Sequence, residues 1–133
     1  MLDFFASHDI SLYKMKDDAR GQESRQAQFL KGLAELALLS LLAERAHYGL
    51  EILSRLRSEA GLGLAEGTIY PLLHRLEQAG LTRSEWRIED KNARPRKYYA
   101  LTEKGRSELG TQLKEWRKLS REVGAFLDRK KTS

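Results

Sequence analysis

The segment from Leu64 to Leu101 restricts the possible folds of this chain more than any other. In its first half, apolar residues recur at intervals of three and four, which is the spacing of one face of an α-helix. They are Ile69, Leu72, Leu73 and Leu76. The opposite face collects polar, aromatic and basic groups, namely Gly67, Tyr70, Pro71, His74, Arg75 and Gln78. A helix fits the major groove of duplex DNA, where such side chains read base edges. The segment therefore predicts a DNA-reading helix.

A charged β-hairpin is predicted directly behind this reading helix. Gly80 ends the helix, and side chains alternate between two faces over residues 81–88 and again over 96–101, as they do in strands. Basic residues cluster around the tip of the hairpin: Lys91, Arg94, Arg96 and Lys97. Such clusters are usually only solvated surface, but directly behind a reading helix this one indicates the wing of a winged helix-turn-helix.

The same alternation assigns the aromatic residues of the hairpin. Trp86 shares a strand face with Ile88, and we expect it to lie in the core. Tyr98 and Tyr99 lie on opposite faces of the second strand. One of these tyrosines is therefore expected to be buried, while the other is free to reach a phosphate.

Two further helices are predicted before the reading helix. The first, from about Phe29 to Ala43, is rich in Leu around much of its circumference and must be covered on more than one side. The second opens at Tyr48 and runs to about Ala60. Its inward positions are Leu50, Ile52, Leu53 and Leu56. A turn with two glycines at residues 61–63 follows, and helix, turn and helix together complete the DNA-binding motif.

A long final helix is predicted over residues 102–130, with Thr102 as its N-cap. Its apolar residues form a heptad-like seam: Leu109, Leu113, Trp116, Val123 and Leu127, widened by Leu119 and Phe126. A domain of this size can hardly cover such a seam, so we expect it to pair with a second copy of the chain. Packing on the chain's own Leu-rich first helix is the alternative, and the two arrangements are compatible.

The charge of the chain is unevenly distributed. The 133 residues suffice for one domain with helical appendages, and the formal net charge is +5. Residues 82–133 hold 15 basic against 8 acidic side chains, whereas residues 1–81 are slightly acidic. A protein that meets phosphates with one part of its surface shows this pattern. Acidic substrates or an anionic membrane would also be attracted, so charge alone does not identify the partner.

Composition argues against several other kinds of site. The chain has no Cys, and its three His residues lack metal-ligand spacing, so neither a metal nor another cofactor is predicted. The longest apolar stretch, residues 33–43, is too short to cross a bilayer, and the N-terminus does not resemble a signal peptide. We therefore expect a soluble cytoplasmic protein without a membrane partner. With no nucleophile motif and no Gly-rich phosphate loop, an enzyme is not expected.

Two other binding functions are weighed against DNA. A winged helix can serve as a protein-interaction module without DNA binding, but its docking face would be more apolar than one with His74, Arg75 and Gln78. RNA binding is disfavoured because stacking of bases needs a sheet platform, and only a two-stranded hairpin is predicted. Double-stranded DNA is therefore the predicted partner.

Several strings of residues resemble the PadR family of bacterial transcriptional regulators. The most specific are E-G-T-I-Y-P-L-L-H-R-L-E at 66–77 and R-K-Y-Y-A-L-T-E-K-G at 96–105. The Leu-rich segment at 29–43 and Y-G-L-E-I-L at 48–53 also match. The resemblance extends over about residues 29–127, and the single short C-terminal region resembles the compact branch of the family.

The resemblance implies a homodimeric winged helix-turn-helix, usually a repressor, that binds an inverted-repeat operator and is released by a small molecule. It places five residues of the reading helix against the major groove or its phosphates: Thr68, Tyr70, Pro71, His74 and Arg75. Tyr48 would help to hold the DNA backbone, and Arg94, Arg96 and Lys97 would be contacts of the wing. Two copies of Trp116 near the two-fold axis would sandwich a flat aromatic effector, and interface packing alone is the equally weighted alternative.

The chain departs from the family pattern at two places. Position 65 is Ala where relatives often have Ser or Thr, so the reading helix loses a cap and a hydroxyl near DNA. The extension before Phe29 has no counterpart in most members. The predicted fold is mostly α with a small β-hairpin. It has three parts: an N-terminal extension (1–28, a helix or a loosely held arm), a winged helix-turn-helix (29–101) and a C-terminal dimerisation helix (102–130).

Overall fold

The computed structural model describes residues 32–129. Helix α1 is seen over residues 32–44, and strand β1 (His47–Tyr48) leads into helix α2 (Gly49–Ala60). Helix α3 (Glu66–Gln78) precedes strands β2 (Thr82–Arg87) and β3 (Arg96–Leu101), and helix α4 (Glu103–Leu127) follows. The predicted extension, the predicted start of the first helix and the predicted end of the last helix lie outside the described residues. The predicted fold class, mostly α with a small β-hairpin, is confirmed.

Helices α2 and α3 form the predicted helix-turn-helix. Gly61 ends α2 in the left-handed conformation, with φ of 69°, and the N–H of Leu62 donates to the carbonyl of Leu56 at 2.9 Å. Leu62 and Leu64 are buried between the two helices' ends, so the turn contributes to the core. All four predicted inward residues of α3 are buried, and Ile69, Leu73 and Leu76 are completely so; the fourth is Leu72. The reading helix therefore rests on a fully packed base.

The sheet has one strand more than the predicted hairpin. Its strand order is β1-β3-β2, and all neighbours are antiparallel. Strand β1 pairs Tyr48 with Tyr98, and β2 pairs Trp86 with Lys97. Two residues are too few to leave a period of alternation in the sequence, so β1 was not predicted.

A buried histidine holds β1 in place. His47 has no exposed surface; its Nδ1 lies 2.8 Å from the carbonyl oxygen of Arg45, and its Nε2 lies 2.8 Å from Nη1 of Arg55. Because the guanidinium can only donate, Nε2 accepts and Nδ1 donates to the carbonyl. Arg55 also forms ion pairs with Glu44 and Glu59. The ring thus ties β1 to α2.

Three predictions about burial are wrong. Trp86 and Ile88 are 68% and 64% exposed, because the wing projects past the helices and nothing in the described part of the chain covers this end. Leu50 is also exposed, since it lies in the first turn of α2 at the rim of a groove. Tyr98 and Tyr99 are both buried, which overturns the expectation that one would be free for a phosphate.

The start of α4 is locked to the end of α3. Thr102 is the predicted N-cap: its Oγ1 accepts from the N–H of Gly105 at 3.0 Å and donates to the carbonyl of Gly80 at 2.7 Å. Gly105 lies against the carbonyl of Leu81, with no room for a Cβ. Lys104 donates to the carbonyl of Ala79 at 2.9 Å. The direction of α4 is therefore set by the winged domain.

Beyond its first turns, α4 leaves the core. Gln112 donates to Glu35 of α1 at 2.6 Å, so this part of α4 contacts the first helix, while packing of the seam itself on that helix stays a prediction. The later residues of the seam are exposed: Trp116, Leu119, Val123, Phe126 and Leu127. The C-terminal half of α4 therefore carries a stripe of exposed apolar side chains, the apolar stripe.

Candidate DNA-binding surface

The exposed face of α3 carries the predicted reading residues. Thr68, Pro71 and His74 are exposed, and so are Tyr70 and Arg75. They stand on the helix face opposite the four buried residues, as the sequence pattern predicts. The helix begins after Ala65, whose side chain provides no cap, so the first N–H groups of α3 are left to other acceptors.

Tyr70 joins the reading helix to the start of α2. Its ring lies so close to Gly49 that a Cβ there would overlap the hydroxyl and ring carbons. Partial burial, with help from Glu66, raises the pKa of Tyr70, so its hydroxyl keeps its proton well above neutral pH. The side chain is still 39% exposed. Tyr70 therefore fixes the spacing of the two helices while part of its side chain stays at the surface.

Arg75 belongs to a polar cluster that links three helices. Its Nη2 lies 2.9 Å from Glu35 of α1, and the other oxygen of Glu35 accepts from Gln112 of α4. The side chain of Arg75 nevertheless remains 63% exposed. A guanidinium has five N–H groups, so one ion pair leaves donors that can reach a base or a phosphate. The cluster orients Arg75 and does not remove it from the surface.

The outer face of the sheet stacks two arginines on two tyrosines. Arg87 lies 4.5 Å from the centre of the Tyr98 ring, and Arg96 lies 4.4 Å from the centre of the Tyr48 ring. The two rings meet edge to face, with centres 5.5 Å apart. Tyr48, predicted as a contact to the DNA backbone, is half-buried beneath Arg96. In this structure its contact is with the cation.

A hydrogen bond to a carboxylate completes this stack. The Tyr98 hydroxyl bonds to Glu89, and that bond, with burial, raises the pKa of Tyr98. The phenol therefore donates and the carboxylate accepts. Sequence reasoning singled out Arg96 but missed Arg87, although the predicted alternation already placed Arg87 opposite the core face of β2. The register pairs Arg87 with Arg96, so the two cations are neighbours on this face of the sheet.

The remaining wing cations divide between the loop and the inner face. Arg94 is exposed in the loop between β2 and β3. Lys97 points to the other side of the sheet from Arg96, with its Nζ 5.6 Å from the centre of the Tyr99 ring. The structure thus brings Tyr48 and Arg96 together, but places Lys97 on the opposite face of the wing.

Other kinds of site find no support in the described part of the chain. Residues 32–129 contain no group of His, Asp and Glu side chains arranged to hold a metal ion. None of the helices described for this range is both long and apolar enough to span a membrane. Trp116, the predicted effector residue, is 41% exposed in the apolar stripe of α4.

Comparison with known proteins identifies the family. Residues 38–111 match the model of the transcriptional regulator PadR-like family. The chain is 35% identical over 96 residues to the transcriptional regulator Rv3488 of Mycobacterium tuberculosis, a match that covers 72% of this chain and 87% of that protein.

Solved structures agree with this assignment. A PadR family regulator from Eggerthella lenta is 32% identical, with a TM-score of 0.69, and the match covers 80% of this chain and 91% of that one. A PadR-like regulator from Bacillus cereus is 31% identical, with a TM-score of 0.68, and the match covers 75% of this chain and 96% of that one. The chain therefore belongs to the PadR-like family of transcriptional regulators, which are not enzymes.

Proposed function

We propose that the chain is a homodimeric repressor that binds an inverted-repeat operator in the cytoplasm and leaves it when a flat aromatic effector binds. The observation that carries the DNA-binding part is the exposed face of α3, which combines hydrogen-bonding and cationic side chains on a rigid helix. A wing with cations on both faces and in its loop stands beside it. Hydrogen-bonding side chains on a helix suit base edges, and the cations of the wing suit phosphates.

Roles on the reading helix follow from side-chain chemistry. His74 and Arg75 project from the second half of α3, with Arg75 in its last turn, and both are assigned to base edges of the major groove. Arg75 suits guanine, whose two acceptors match its paired N–H groups. Thr68 and Tyr70 donate from hydroxyls near the start of the helix, and the ring of Pro71 offers an apolar contact.

The wing supplies contacts to phosphates. Arg94, Arg96 and Lys97 would each neutralise part of the backbone charge. Tyr48 takes part by holding the guanidinium of Arg96 over its ring, which reduces the freedom that Arg96 loses on binding. Its own hydroxyl remains a donor for the same backbone.

The apolar stripe on α4 supports the dimer. Four large side chains beyond Trp116 are exposed in a single chain: Leu119, Val123, Phe126 and Leu127. Leaving them in water costs free energy that a second copy of the same helix would recover. Two reading helices related by a two-fold axis would then enter successive major grooves, with half-sites about one helical turn apart.

Trp116 supports the effector site. It lies at the inner end of the stripe, one turn from Gln112, which is hydrogen-bonded to Glu35. Two copies of the indole across a dimer axis would enclose a planar ligand. A ligand wedged there would move both winged domains, because the start of α4 is locked to the end of α3.

Size and DNA binding test the first part of the proposal. The full chain at micromolar concentration should elute as a dimer, and it should retard duplex DNA from its own promoter more strongly than a scrambled duplex. Replacing Arg94, Arg96 and Lys97 by Ala should weaken binding to both duplexes and lower the salt slope by about one unit per lost phosphate contact. A monomer that retards neither duplex contradicts the proposal.

Transcription and fluorescence test the regulatory part. Transcription from a template with that promoter should fall when the protein is added and recover with a planar aromatic cation. Emission from Trp116, isolated by Trp86→Phe, should be quenched over the same range of ligand concentration. Unchanged emission and unchanged DNA affinity across a broad panel of such ligands contradict the effector site.

A further inference from the structure

Two large apolar side chains stand exposed on the wing, and the function proposed so far does not use them. Trp86 and Ile88 lie near the end of β2, both more than half exposed. Exposure of an indole and a branched aliphatic chain to water costs free energy that contact with a partner recovers. The residues around this pair indicate the chemistry of that partner.

The pair lies on the side of the sheet that faces the reading helix. Ser84, two residues before Trp86 on the same face, donates a hydrogen bond to Glu77 of α3 at 2.6 Å. Tyr99, the ladder partner of Ser84, is buried on that face, and burial together with Glu77 and Tyr70 raises its pKa. Because side chains alternate along β2, Trp86 lies on the same face as Ser84, nearer to the loop of the hairpin. The exposed pair therefore extends the surface beside α3.

Cations border the apolar pair. Lys97 is the direct ladder partner of Trp86, and its side chain runs along the same face over Tyr99. Lys91 and Arg94 are exposed in the loop that follows Ile88, which also contains Asp90 and Glu89, and Glu89 is hydrogen-bonded to Tyr98 on the other face. An apolar centre with positive charge at its edge fits an anionic partner that has apolar surface between its charges. An uncharged apolar surface would gain nothing from these cations.

The edge of a DNA groove has this composition, because the C–H surfaces of deoxyribose lie between phosphates. Proteins that engage the minor groove combine Lys or Arg with apolar side chains in the same way. We infer that Trp86 and Ile88 contact the deoxyribose edge of the groove next to the one that α3 reads, with Lys97 on a flanking phosphate. This inference rests on the proposed function, in which α3 and the wing bind the same duplex.

Trp86 provides its own probe for the test. The chain has two Trp residues, so in a Trp116→Phe protein the emission comes from Trp86 alone. This protein is the reference for all variants, and its duplex is the promoter fragment used above. Saturation with DNA should shift and quench the Trp86 emission, because the indole leaves water.

Affinity and salt dependence separate apolar from ionic contacts. In the reference protein, Trp86→Ala should weaken DNA binding by about tenfold, and Ile88→Ala by a smaller factor. Neither change should alter the salt slope, because no phosphate contact is lost. The matched variant Lys97→Ala should lower the slope by about one unit. Trp86→Phe should retain most of the affinity, and since position 86 is exposed, thermal unfolding of all four variants should match the reference.

The opposite results overturn the inference. Equal DNA affinity of Trp86→Ala and reference, with emission unmoved by DNA, removes the contact but leaves the proposed function standing. A dimer weakened by Trp86→Ala in sizing experiments assigns the pair to a second copy of the chain instead. Failure of the parent chain, with Trp116 in place, to bind any duplex refutes the proposed function, and the inference falls with it.

Discussion

The reading helix and the outer wing follow equally regular sequence patterns, yet the same kind of residue ends in opposite environments. In α3, Ile69 and Leu73 are completely buried, and α2 and β2 both contact this helix. In the wing, Trp86 and Ile88 follow the alternation expected of a strand, but both side chains are exposed to solvent. Periodicity identifies which residues share a face. Only a neighbouring layer of structure decides whether that face is covered.

The two regions also hold their cations differently. Arg75 on α3 is oriented by an ion pair with Glu35, which belongs to another helix. Arg96 on the wing is oriented by an aromatic ring of the sheet itself. Arg87 combines its ring contact with an ion pair to Glu85 at 2.7 Å. A stack on a ring leaves the N–H edges of the guanidinium open, whereas an ion pair occupies part of them. We therefore expect the wing to make the stronger phosphate contacts and α3 the more selective ones.

The largest difference between the reading helix and the wing should appear in the free energy of unfolding. Replacement of the buried Leu73 by Ala should lower the free energy of unfolding by about 2–5 kcal/mol, because it leaves a cavity under the reading helix. Replacement of the exposed Ile88 by Ala should change it by less than about 0.5 kcal/mol. Urea unfolding followed by circular dichroism measures both. Similar losses for the two variants would mean that the wing is packed after all.

Two glycines of α4 allow a tightly packed position and an open position to be compared within one helix. Gly105→Ala should destabilise the protein by about 1–3 kcal/mol, because the new methyl group would meet the carbonyl of Leu81 and the side chain of Leu101. Gly110→Ala, one and a half turns further along, meets nothing within 4 Å and should stabilise the helix by up to about 1 kcal/mol. Thermal unfolding of the two variants distinguishes them. Equal shifts would show that the start of α4 is not locked.

Removal of the ring beneath Arg96 should have a moderate effect on DNA binding. Tyr48→Leu deletes the cation–π contact, which is worth about 0.5–1 kcal/mol at a surface site, and should weaken binding by a few fold. Tyr48→Phe keeps the ring and should keep the orientation of Arg96. Titration by fluorescence anisotropy compares the two variants. If Tyr48→Phe loses as much affinity as Tyr48→Leu, the hydroxyl matters and the ring does not.

The smallest effect concerns acid stability at the base of the winged domain. A hydrogen bond from Arg45, at 2.8 Å, lowers the pKa of Glu51 below its usual 4.5. The resulting stabilisation is present above that value and is lost as the pH falls through the folded-state pKa. Glu51→Gln should therefore unfold with a weaker dependence on pH between neutrality and about pH 3. Glu115→Gln, at an exposed position of α4, serves as the control and should follow the parent protein.

Much of the fold could be predicted because local physical chemistry decides it. The spacing of Leu72, Leu73 and Leu76 predicted the buried face of α3, since the helical period of 3.6 is a backbone property. The cap at Thr102 and the positive φ of Gly80 follow from side-chain and backbone chemistry within a few residues. The exposed reading face, with His74 and Arg75, needed nothing more than the same helical wheel.

What the tertiary structure alone decided involves partners distant in sequence. The burial of Tyr98 depends on Tyr48, fifty residues earlier in the chain, and on a strand of two residues that leaves no pattern. The exposure of Trp86 depends on where the helices end beneath the wing. The ion pair of Arg75 with Glu35 spans forty positions. The periodicity of a sequence indicates which side chains lie together on one surface. Whether another helix or strand covers that surface depends on how the elements pack. Burial requires two elements in contact, so the sequence of one element cannot determine it.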